Sequence, residues 1–266
     1  MEQFDSKNLK KLYRPAKKSH KGQNGKLLVI GGSELFHAAS MWALEVGSRI
    51  VDMVFYASVP VNEEIVKKQK HRFHDGIVVP KDKLEEYIKE ADCVVIGPGM
   101  ERGKETKDKV DKLLEKYPEK RWIVDGGALQ MMDKKLLTKT MIITPHVKEF
   151  ERVFDLEPND KNVKKMAEKY GCVIAFKGRE DIVCDRNQCI VNATGNEGMT
   201  KGGTGDVLAG LIGALYCKNK AFLSASCGVY LNGLAGDRLY VQSGPYFNAS
   251  DLVKEMPKVM NEVVIK

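Results

Sequence analysis

Short β-branched runs alternate along this chain with segments whose apolar residues recur at helical spacing, and that alternation limits the fold more than any other feature. Residues 26–30, 53–59, 93–96, 122–124 and 140–143 read as strands. Between them, residues 38–51 place Ala39, Trp42, Ala43, Val46 and Ile50 on one helical face, and residues 84–91 and 106–117 read as helices. Strands joined through helices run parallel, because the crossover is long enough to bring the chain back to the same end. Cys93-Val94-Val95-Ile96 shows no polar alternation, which predicts a sheet covered on both faces. Residues 173–176, 182–184 and 189–191 are short strands, the last two split by the turn Asp185-Arg186-Asn187, and they predict an antiparallel edge. Helices over residues 206–216, 221–239 and 251–264 follow, the last kinked near Pro257. The expected fold is one three-layer α/β domain over residues 1–266, with a mostly parallel central sheet, an antiparallel edge and helices on both faces.

Composition removes several classes. The 266 residues are 43% hydrophobic and 30% charged, which is ordinary globular usage and argues against disorder. The apolar run at residues 207–217 is well short of the roughly 20 residues of a membrane span. The N-terminus is polar and charged, without the apolar stretch of a secretory signal. Six scattered cysteines form no C-x-x-C pair, so neither a disulfide scaffold nor a zinc site is expected, and the cytoplasm is the expected compartment. Cys184 and Cys189, flanking a hairpin turn, read as small apolar fillers. The net charge of +7 is lopsided: residues 1–26 form a basic arm with eight Lys or Arg against Glu2 and Asp5. Such an arm suits phosphate contact, in a nucleic acid or a nucleotide.

The most informative tract runs from Gly195 to Asp206 and holds Gly198, Gly202, Gly203 and Gly205 just before an apolar helix. A helix N-terminus leaves backbone N–H groups unpaired and carries partial positive charge, and glycines let an anion come close. Asp206 is placed to take a proton from a hydroxyl that attacks phosphorus. Read structurally, the same residues are a loop and a helix cap. No Gly-Lys-Ser/Thr occurs, so this is not a Walker A loop, and Gly97-Pro98-Gly99 is not a dinucleotide fingerprint.

Gly195-Asn196, Gly198-Met199 and Gly202-Gly203-Thr204-Gly205-Asp206-Val207-Leu208-Ala209-Gly210 together resemble the signature of the ADP/ATP-dependent NAD(P)H-hydrate dehydratases of the ribokinase-like superfamily. Further segments agree in order: Arg14-Pro15, Ser19-His20-Lys21-Gly22, Gly31-Gly32-Ser33, Gly97-Pro98-Gly99, Thr144-Pro145-His146 with Glu149, and Lys177-Gly178. The resemblance implies a lyase that restores hydrated NADH and NADPH (NADHX and NADPHX) by moving a phosphoryl group from ADP or ATP to the ring hydroxyl and then losing phosphate. It implies Asp206 as base, with Gly202, Gly203, Thr204 and Gly205 as anion hole. It implies Lys177, Gly178, Arg179, Glu180, Asp181, Asn196 and Gly205 at the nucleotide. Ala38, Gly99, His146 and Asp206 would meet the hydrated dinucleotide, and Glu149 would hold Mg2+ through water. A homo-oligomer, commonly a tetramer, is also implied, with no nucleic-acid or membrane partner. The arm's lysines are then expected at nucleotide phosphates or at a neighbouring subunit. The epimerase domain that many relatives carry has no counterpart in these residues.

Two departures stand out. Gly127 replaces the second acid of the family's Asp-Ala-Asp strand end, in Asp125-Gly126-Gly127-Ala128-Leu129, and Lys201 sits where a small or apolar residue is usual. Small-molecule kinases of the hydroxyethylthiazole or hydroxymethylpyrimidine type share the glycine–aspartate chemistry and form the alternative reading. His71 and His74 have metal-ligand spacing but no third ligand nearby, and read as exposed histidines.

Overall fold

The computed structural model describes residues 1–265. The strands are β1 (Glu2–Gln3), β2 (Lys26–Ile30), β3 (Met53–Ala57), β4 (Ile77–Val78), β5 (Cys93–Ile96), β6 (Arg121–Val124), β7 (Met141–Ile143), β8 (Val173–Phe176), β9 (Asp181–Cys184) and β10 (Cys189–Asn192). The helices are α1 (Ala38–Ser48), α2 (Pro60–Lys68), α3 (Leu84–Glu90), α4 (Lys104–Lys116), α5 (Gly126–Met131), α6 (Val147–Phe154), α7 (Asp160–Tyr170), α8 (Thr204–Tyr216), α9 (Ala221–Ser243) and α10 (Ala249–Met260). All ten strands share one sheet in the order β1-β10-β9-β8-β7-β6-β5-β2-β3-β4. Pairing is parallel from β4 to β8, and β9 alone runs antiparallel to its neighbours.

Side chains alternate across the sheet, as a pleated strand requires. Leu28 and Ile30 join a core with α3 to α7, while Leu27 and Val29 join the opposite core with α1, α8 and α9. A further apolar cluster packs α10 and the N-terminal segment against α8 and α9. Small residues allow this stacking: a Cβ on Gly210 would meet the Ala43 backbone at 2.5 Å.

The chain leaves β2 toward β3 and returns on the other side to β5. Beyond the C-terminal ends of β2 and β5 lies the switch point where open α/β sheets collect ligands. Gly31-Gly32 and Gly97-Pro98-Gly99 occupy it, and the Gly32 N–H donates to the Pro98 carbonyl over 2.7 Å.

Several expectations shift. The basic arm is not free: β1 pairs with β10, Phe4 stacks on Tyr230 at 4.8 Å, and Leu9 and Leu12 are buried. Its later part is tied to Asp52, which accepts from the Gly22 and Asn24 N–H groups. That contact lies at the N-terminal end of β2 and β3, a strand length from the switch point. Cys184 and Cys189 are not independent fillers; they face each other across the hairpin and form a disulfide. α10 continues through Pro257, and its winding becomes a π-turn only over Asn261–Ile265. Among the described residues, no helix is long and apolar enough to cross a membrane.

Candidate active site

Asp206 stands in the first turn of α8. Gly203, the residue before the helix, has φ of 98°, and a Cβ there would meet the Trp42 ring at 2.4 Å. Only glycine fits that backbone at that distance. No side chain caps α8, and while the Thr204 and Val207 N–H groups donate to the carbonyls of Lys201 and Gly203, those of Gly205 and Asp206 are left for an incoming acceptor. The Thr204 hydroxyl is committed elsewhere, facing the carbonyls of Met199 (2.7 Å) and Lys201 (3.0 Å), and it fixes the loop. Gly202 is exposed with open space around it.

Asp206 shares its surroundings with three charged side chains. Lys177 follows β8, and its Nζ lies 2.9 Å from Asp125 Oδ1 and 3.8 Å from Glu149 Oε2. Asp125 follows β6, just before α5, and accepts from the Thr144 hydroxyl at 2.7 Å. Glu149 is buried and accepts from Gln130 Nε2 and the His146 N–H, each at 3.0 Å. The Glu149 N–H in turn donates to His146 Nδ1, closing a reciprocal cap on α6.

The electrostatics follow from this geometry. Burial pushes Asp206 up to about 7, the nearby Asp125 and Glu149 charges push the same way, and Lys177 offsets part of the rise. Burial opposes the Lys177 charge, but Asp125, Glu149, the Asp125 hydrogen bond and Asp206 outweigh it and hold its pKa above the usual lysine value. Burial also lifts Asp181 to about 6, although Asn192 and the Gly178 N–H both donate to it.

The predicted residues therefore separate into groups. Asp206, Gly203, Gly205, Lys177 and Glu149 converge; a Cβ on Gly205 would sit 3.4 Å from Lys177 Nζ. Gly99, with φ of 71°, packs against Gly32 and Ala39 at the switch point, and Ala38 is exposed at the start of α1. His146 is exposed and lines an open depression of about 590 Å³ with Phe36, Met100 and Gln130. Gly178, Arg179 and Glu180 form an exposed turn beyond Lys177, with Asp181 holding its base. Asn196 lies on the other flank of the glycine tract, where Asp237 anchors it and the Gly195 N–H.

The two departures have structural reasons. A Cβ on Gly127 would meet the Met100 carbonyl oxygen at 2.0 Å, so the loop after β5 occupies the space a second acid would need. Lys201 turns away from the helix start and donates to the carbonyls of Pro245 and, at 2.6 Å, Phe247. Asp125, Gln130, Thr144 and Asp237 were not among the predicted site residues. Asp125 had a signal, a single acid closing the apolar run Trp122-Ile123-Val124. Among the described residues no cluster of His, Cys, Asp and Glu is arranged to hold a metal ion, and His71 and His74 are exposed. A larger depression of about 780 Å³ at the opposite sheet end, lined by Lys89, Tyr117 and Lys120, holds none of these residues.

Comparison with known proteins gives a consistent result. The family model described as NAD(P)H-hydrate dehydratase matches residues 27–258. The "Bifunctional NAD(P)H-hydrate repair enzyme Nnr" of Methanocaldococcus jannaschii is 40% identical over 264 residues, covering 95% of this chain and 51% of that protein. The chain thus spans about half the length of that relative. The "ADP-dependent (S)-NAD(P)H-hydrate dehydratase" of Cenarchaeum symbiosum is 32% identical, covering 91% of this chain and 90% of that protein. In structure, the ADP/ATP-dependent NAD(P)H-hydrate dehydratase of Bacillus subtilis, co-crystallized with ATP/Mg2+, superposes with a TM-score of 0.81 at 22% identity, covering 98% of each chain.

Proposed function

The chain belongs to the NAD(P)H-hydrate dehydratase family, and from that premise we propose that it dehydrates the hydrated nicotinamide ring of NADHX and NADPHX at the expense of ADP or ATP. The observation that carries the reading is Asp206, a half-buried carboxyl with its pKa pushed up to about 7, at an uncapped helix start and beside the Lys177 cluster.

In this mechanism the Asp206 carboxylate takes the proton of the ring hydroxyl as its oxygen attacks the terminal phosphoryl group. The new O–P bond forms while the bond to the departing nucleotide breaks. The N–H groups of Gly203, Gly205 and Asp206 hold the phosphoryl oxygens as charge builds on them. Phosphate then leaves with the former hydroxyl oxygen, and a proton lost from the neighbouring carbon restores the double bond. Lys177 pairs with Asp125 and Glu149 and counters the charge that Asp206 meets. His146 and Gly99 border the ring's side of the cleft, and residues 178–181 with Asn196 border the nucleotide's side.

Both Glu149 oxygens already accept hydrogen bonds, so magnesium would arrive on the nucleotide and meet Glu149 through water. When bound, the ion neutralises phosphate charge. A cytoplasmic setting belongs to the same reading. So does assembly into a homotetramer, supported by Val241 and Tyr246, which are 88% and 86% exposed. Sedimentation showing only a monomer at micromolar concentration would count against that assembly.

The test is to supply hydrated NADH with magnesium and ADP or ATP and follow the return of reduced-nicotinamide absorbance. Recovery with either nucleotide is expected. No recovery with both refutes the activity, and a stable phosphorylated product instead identifies a kinase.

A further inference from the structure

Arg102, Lys148 and Arg152 line the depression beside His146, all exposed. Among the described residues, none of the three makes an ion pair or donates a side-chain hydrogen bond. The buried carboxylate at the base of the depression, Glu149, is already engaged by Gln130, the His146 N–H and Lys177. Glu101 is the one other acid on the lining, so the rim keeps a cationic excess. The same lining carries exposed apolar surface: Leu35 and Phe36 are 68% and 51% exposed, and Met100 joins them in the lining. The depression is continuous with the switch point, since Met100 directly follows Gly99 and His146 stands at its edge.

Exposed apolar side chains and unpaired guanidinium groups in one lining suit a flat heterocycle joined to a phosphate dianion. On the reading given under Proposed function, we propose that this depression takes the adenosine half of the hydrated dinucleotide. Arg102 and Arg152 meet its 2′-phosphate, so the phosphorylated substrate, NADPHX, is preferred over NADHX. The nucleotide co-substrate carries no such group; its predicted contacts are Lys177, which bridges to His146, and the turn at residues 178–181 that follows it.

The experiment compares both hydrates with wild type and with the double variant Arg102→Gln/Arg152→Gln. The variant's KM for NADPHX should rise about tenfold more than its KM for NADHX, the low end of what a lost charge-assisted hydrogen bond is worth. Glu101→Gln should move the preference the other way. A rise of equal size for both hydrates, or no rise for either, overturns the assignment. Fluorescence titration with NADPH and NADH reads the same preference without turnover. If neither hydrate is turned over, the proposed activity fails, while an NADPH preference that the double variant removes still sustains the pocket. Equal wild-type affinity for NADPH and NADH overturns the pocket even where the activity stands.

Discussion

Asp206 carries a burial cost that Lys177 only partly offsets, and this imbalance suits it to the base role proposed for it. Its carboxyl titrates near 7, so kcat/KM should rise with pH through about 7 and level off above it. A flat profile from pH 5 to 8 would remove Asp206 from proton transfer. The same shift has a sign for stability. The folded chain holds this proton more tightly than the unfolded chain, so this group's contribution falls as pH rises from about 4 to about 7. Asp206→Asn should therefore abolish turnover, keep nucleotide binding and gain on the order of 2 kcal/mol at pH 8, and less at pH 5, by denaturant titration. Lys177→Met should do the reverse to the fold. It strands Asp125 and Glu149 without their cation and should cost about 3 kcal/mol, together with activity.

At the scale of elements, the strands were legible because burial on both faces strips them of polar alternation. β5 and β8 fall on the expected residues, while helices α4 and α8 each begin two residues earlier than expected. β1 and β4 were not legible, since two residues carry no period and gain their place only from β10 and β3. The site divides the same way. The glycine tract, His146 and Glu149 sit in contiguous motifs. Asp125 matters because Lys177, 52 residues away, reaches it, and no local pattern encodes that meeting. Gly203→Ala should cost about 2 kcal/mol or more and disturb the start of α8, because it adds a Cβ at positive φ against Trp42. The Cys184–Cys189 disulfide closes a short loop, so Cys189→Ser or reduction should lower stability by only about 2 kcal/mol in the chain-entropy account. A collapse of the whole fold on reduction would contradict that.

For the whole molecule, the basic arm is a matter of location. Its lysines at 17, 18 and 21 lie near the N-terminal strand ends, about 16 Å of strand from the glycine tract's end of the sheet. Exposed charges at that separation are screened, since the Debye length is about 8 Å at physiological salt. Replacing all three by Gln should leave the nucleotide KM within about twofold. Leu9→Ala, by contrast, empties a fully buried position in the outer cluster and should cost about 3 kcal/mol. The arm thus serves packing through its apolar residues, and the chemistry is gathered where the strands end. The most direct test of that chemistry counts products. With hydrated NADH and ADP or ATP, one reduced nicotinamide should return for each phosphate released, and Asp206→Asn should give neither. Phosphate released without recovery of the ring, or undiminished recovery in Asp206→Asn, would contradict the account.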